Sequence, residues 1–226
     1  MPAYAADPSP APNHTAAPDA SPDAALAAER AHLDASRAAL RRMRKETEAL
    51  DLTDVGGNEV SNKLVTDLIR DRIAALADFA DAPLFFGRID GRFADAPDVS
   101  TGTAPVEVAA DPSRPVESFW IGRRHVHDHL GDPMVVDWRA PVSRSFYRAT
   151  RTDPRGVELR RRFGWEGGRL TAFEDEHLAD VGEQDAASAI LAAEIERPRV
   201  GPMRDIVATI QPEQDEIVRA DLGRTV

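Results

Sequence analysis

Leucines recur every seven residues early in the chain, at Leu26, Leu33 and Leu40, joined by Met43 and Leu50, and alanines fill much of the space between them. Ser21-Pro22-Asp23 opens this stretch with an oxygen cap, a proline at the first helical position and an acid against the helix dipole. A helix from Pro22 to Leu50 is therefore predicted, roughly 40 Å long at 1.5 Å per residue. Its apolar seam is narrow and its other faces are charged, the pattern of a coiled-coil partner. Val55-Gly56-Gly57-Asn58 breaks the helix, and Leu64, Leu68, Ile69, Ile73, Leu76 and Phe79 form a second stripe. Two long helices on a short link run antiparallel, so the expected product is a projecting helical hairpin.

From Asp81 the period shortens to two. Leu84 to Phe93 reads as two strands turning at Asp90-Gly91, a strong short hairpin signal. Further strands are expected at Phe119–Gly122 and Met134–Trp138, and a pair at Val157–Trp165 and Arg169–Phe173 turns at Gly167-Gly168. Residues 95–115 read as loop. Ala186–Ile195 reads as helix, and a short helix from Met203 to Ile210 leads to Gln211-Pro212 and a final helix bearing Ile217, Val218 and Leu222. Gly223 ends that helix, and Arg224 to Val226 resemble the opening of a strand, so the closing stretch is expected to begin an α/β domain. The resulting expectation is an α+β chain in four parts. A disordered proline-rich leader occupies 1–20, an antiparallel coiled-coil arm 21–81, and a small β-rich unit 82–180. Helices opening an incomplete ATPase subdomain occupy 181–226.

Composition narrows the chemistry. With 39 acids against 28 bases the formal charge is −11, which argues against broad binding of phosphate backbone. No cysteine is present, which removes disulfides, thiolate metal sites and a cysteine nucleophile and fits a reducing cytoplasm. No apolar run approaches the roughly 20 residues of a membrane span. The sequence holds no Gly-x-Ser-x-Gly, no His-Glu-x-x-His and no Gly-Lys dipeptide, hence no complete phosphate-binding loop.

Four groups of residues bear possible chemistry. The link between the two helices carries Asp51, Asp54 and Glu59, readable as an acidic tip for a basic or metal-bearing channel, or as ordinary solvated helix caps. His125, His127 and His129 alternate, so on one strand they would share a face and ligate a metal; Gly131-Asp132-Pro133 argues for a turn there and for a plain polar loop. Asp137-Trp138-Arg139-Ala140-Pro141 reads as a partner surface or as a structural corner. Arg160-Arg161-Arg162 alternates on a strand and reads as a solvated face.

Phe86-Gly87-Arg88-Ile89, Ile121-Gly122-Arg123, Val136 to Pro141, Phe146-Tyr147-Arg148-Ala149 and Arg161-Arg162-Phe163 occur in register ahead of the run from Met203 to Gln214. This succession resembles the N-terminal part of the HelD family, bacterial RNA-polymerase-associated ATPases related to superfamily-1 helicases such as UvrD. The resemblance implies an arm that enters the secondary channel of RNA polymerase. It also implies a helicase-like core that uses ATP and Mg2+ to release and recycle stalled enzyme, touching nucleic acid only indirectly. It places the adenine-reading glutamine of a Q-motif at Gln214, with Gln211 beside it. A carboxamide both donates and accepts, as the N6 and N7 edge of adenine requires. The family's phosphate-binding loop follows a strand like that begun at Thr225, so the chain reads as a front piece, inactive alone. The alternative is a stand-alone channel-binding transcription factor without ATPase activity.

Overall fold

Along the strand Phe85–Gly91 (β1) Phe85 faces one core and Phe86 and Ile89 the other, with a register shift between Phe85 and Gly87. The computed structural model describes residues 21–50, 59–94 and 110–178, together with the single positions Ile190, Ile210, Gln214 and Asp215. Besides β1 its strands are Glu117–Gly122 (β2), Val126–His127 (β3), Pro133–Asp137 (β4), Val157–Glu166 (β5) and Arg169–His177 (β6). They form one six-stranded mixed sheet in the order β3-β4-β2-β1-β5-β6. The β2–β4 pairing is parallel and the others antiparallel. Helices run over Pro22–Glu48 (α1), Glu59–Ala75 (α2) and Ser143–Arg148 (α3).

The helix predicted at the start of the chain is present, with the Ser21 side chain accepting from the amide of Ala24. Its use differs from expectation. Among the described residues the expected projecting hairpin arm is not formed, and the chain is organised around the single sheet. Leu33, Ala39, Leu40 and Met43 of α1 are buried against Phe85, Trp120, Phe163, Trp165 and Leu170 of the sheet. Polar contacts stitch the same helix down. Arg30 Nε donates to the Leu170 carbonyl at 3.0 Å, and Arg42 Nη2 donates to the His127 carbonyl at 2.7 Å. His32 Nε2 lies 2.9 Å from the Met134 carbonyl, with its ring stacked on Trp120. Arg37 binds the Asp78 carboxylate and holds the Ala82 carbonyl at 3.0 Å, tying α1 to the connection that leads into β1. By contrast Leu64 and Leu68 of α2 are 61% and 58% exposed, and of its stripe Leu76, just beyond α2, is buried in the core with α1. A seven-residue leucine spacing asks only for an apolar cover, and here the cover is the sheet.

A second expectation also gives way. β1 runs unbroken through Asp90-Gly91, and no hairpin turns there. Gly91 serves close approach instead, since a Cβ there would sit 2.1 Å from the carbonyl oxygen of Gly156 at a register shift between β1 and β5. The turn at Gly167-Gly168 is where the sequence puts it, with both residues at positive φ between β5 and β6.

Candidate functional site

The face of the sheet opposite α1 is built around α3. Asp137-Trp138-Arg139-Ala140-Pro141 forms the corner between β4 and α3, where Asp137 accepts from the amide of Arg139 at 2.8 Å and from Ser143 Oγ, through its carbonyl, at 2.9 Å. Trp138 is buried in the core on this side with Phe86, Ile121, Phe146 and Tyr147, while the Arg139 guanidinium lies over its ring at 4.8 Å. α3 itself has no periodic sequence signal, being six residues long and carrying Phe146 and Tyr147 into this core.

Arg160 and Arg162 of β5 project to this side, and Arg161 projects to the other. The expected solvated arginine face is corrected here: Arg160 and Arg161 are 6% and 7% exposed and fully engaged. Arg160 grips Glu176 with Nε and Nη2 at 2.9 and 2.8 Å, and its Nη1 donates to the carbonyls of Phe146 and Ala149 at 2.9 and 3.0 Å. Those carbonyls belong to the last turn of α3, where a cation is favoured. Arg162 donates to the same Glu176 at 2.9 Å. Cross-strand pairing of acids on β6 with the arginine run of β5 is what permits the burial.

Glu176 feels this setting. Burial opposes its ionisation, but the hydrogen bonds and charges of Arg160 and then Arg162 prevail and hold its carboxyl at about 2 against the usual 4.5. A carboxylate depressed on folding contributes stability that is complete above the unfolded value and is lost as pH falls through the folded one. The expected result is a loss of at most about 3 kcal/mol between about pH 4.5 and pH 2, absent in Glu176→Gln, as followed by denaturant unfolding. A parallel pH profile in the variant would show that other groups carry the acid sensitivity.

From the end of α3 the connection passes to the closing part of the chain. Arg148 Nε donates to Asp215 Oδ2 at 3.1 Å, and Asp215 is fully buried while its neighbour Gln214 is exposed. Ile210 is buried in the core beside α3, and the amide of Ile190 donates to Glu174 at 2.9 Å. The structure thus brings Gln214 next to the α3 side of the sheet. Gln211, Asp51 and Asp54 lie outside the described residues; Glu59 opens α2, with its side chain outside them. The first ATPase helix expected after Pro212 is likewise described only at Gln214 and Asp215. Sequence reasoning missed Arg148, Asp215, Arg160 and Glu176. The adjacency of Asp215 to Gln214 was available, but nothing in spacing pairs it with an arginine 67 residues away.

The rings of His125 and His127 lie 5.9 Å apart, and His129 follows in the turn beyond β3. Val126 and His127 form a short strand, the chain turns from Asp128 to Gly131, and His127 Nδ1 meets the Asp128 carbonyl at 2.8 Å. Burial, then the charges of His127 and Arg72, lower the pKa of His125. Among the described residues no group of three or more histidines or acids is placed to hold a metal ion. No helix among them is long and apolar enough to cross a membrane.

A mixed sheet covered on one face by α1 holds the segment bearing Gln214 beside α3 on the other. The chain belongs to the HelD helicase family: residues 26–189 match the family model described as DNA helicase IV HelD, N-terminal domain. Comparison with curated proteins found no match.

Proposed function

We propose that this chain is the N-terminal part of an ATP-dependent, helicase-like protein that binds RNA polymerase and helps release and recycle stalled enzyme. The family match over residues 26–189 carries this reading. In it Gln214, with Gln211, reads adenine, and the residues that hold the phosphates and Mg2+ belong to a further part of the polypeptide. The exposed carboxamide of Gln214, one residue from a buried anchor, fits the adenine end of such a site. The acids Asp51 and Asp54, together with Glu59 at the start of α2, supply a contact to a basic surface of the polymerase.

Two measurements test it. The full-length polypeptide should be retained on immobilised RNA polymerase core and, with ATP, release polymerase from a stalled complex. Retention without ATP-dependent release points instead to a binding factor of the channel, and absence of retention defeats the reading. The triple change Asp51→Asn, Asp54→Asn, Glu59→Gln should weaken retention roughly tenfold at low salt, less at high salt. Deleting α1 is not a usable test of the polymerase contact, because that helix covers the sheet.

A further inference from the structure

We propose that Arg148 is a positioning residue for Gln214, so that the end of α3 sets how the carboxamide meets its ligand; this rests on the adenine reading above. The argument begins with burial. Asp215 is fully buried, and a buried carboxylate is held only where a cation or donors meet it. Arg148 supplies that partner at 3.1 Å. Gln214 and Asp215 are consecutive helical residues, set about 100° apart around the axis. Fixing Asp215 inward therefore fixes the outward direction of Gln214. Ile210, buried in the core beside α3, fixes the chain on the other side of the Gln211-Pro212 step.

Arg148 is itself placed from below. It is the last residue of α3, and the carbonyls of Phe146 and Ala149 on either side of it are both taken by Arg160 of β5. Arg160 is in turn gripped by Glu176 of β6. A continuous polar path thus runs from the sheet through the end of α3 to the residue beside Gln214. An arginine suits this step because its Nε–H lies in the fixed plane of the guanidinium and so holds direction, which a freely rotating ammonium does not. Any ligand or partner that moves α3 would change the presentation of the glutamine, and occupancy of the glutamine would bias α3 in return.

ATP and GTP are the probes, with dissociation constants measured on the full-length polypeptide. Asp215→Asn, and the double Arg148→Gln/Asp215→Asn that removes both members of the pair, should each lower the preference for ATP over GTP about tenfold. Arg148→Lys should recover part of it, and adding Gln214→Ala to the double should lower it no further, because the residues act through one group. A preference that survives in the double variant while Gln214→Ala abolishes it overturns the positioning role, even if the melting temperature falls. If Gln214→Ala itself leaves the preference intact, the adenine reading fails and the inference falls with it.

Discussion

Glu29→Ala is expected to lower the stability of the chain by about 3–5 kcal/mol, since it takes a shared carboxylate from two buried arginines and leaves the Trp120 N–H without its acceptor. Glu29 is 2% exposed on α1 and accepts from Arg88, from Arg161 Nη1 at 2.7 Å and from Trp120 Nε1 at 2.7 Å. Burial alone would lower the proton affinity of Arg161, yet Asp175 and then Glu29 raise it above the ordinary arginine value, so the network favours the ionised pair. Without Glu29 the two arginines keep one carboxylate each, Asp90 and Asp175, and the indole N–H loses an acceptor inside the core. Unfolding in urea at neutral pH measures the loss. A change below about 1 kcal/mol would show that Asp90 and Asp175 suffice for the two cations. Replacing Glu29, Arg88 and Arg161 together by apolar residues of similar volume should not return the stability, because Asp90 and Asp175 would then lose their cations.

Leu40→Ala should cost about 2–5 kcal/mol, and it separates a helix that covers the sheet from one that projects. Leu40 has no exposed surface and sits in the core with Phe85, Trp120 and Phe163. In a free arm the same change would leave the sheet's unfolding transition where it was. In this fold it shifts the single transition, and the matched control Leu64→Ala, at a position 61% exposed, should move it by less than about 0.5 kcal/mol. Equal shifts for the two leucines would restore the projecting hairpin.

How much of this was legible follows from what each residue pattern encodes. The span of α1, the positions of β2 and β4 and the Gly167-Gly168 turn were readable, because capping, alternation and positive φ are local demands. The partner of α1 was not, because Leu26, Leu33 and Leu40 state that a face is apolar and leave open what lies against it. The Asp90-Gly91 pair misled for a related reason: a glycine that admits a neighbouring carbonyl and one that turns the chain look alike in sequence. The arginine run of β5 reads as surface in the sequence because its partners, Glu29, Asp175 and Glu176, are distant in sequence or lie across a strand. At the candidate site the glutamine was found by resemblance, whereas its anchor became visible only once α3 was placed.

The placement of α1 also orders events during synthesis. Arg30 meets Leu170 across 140 residues, and Glu29 meets Arg161 across 132. At about 5–20 residues per second, α1 leaves the ribosome roughly 7–30 seconds before β5 and β6 exist to cover it. Through that interval its leucines and the buried-to-be Glu29 face the same water, a combination that invites a chaperone on the apolar side while the acid and its neighbouring charges discourage self-association. Closure of this long loop by the last hairpin, β5–β6, then makes folding of the sheet and docking of its first helix one late event.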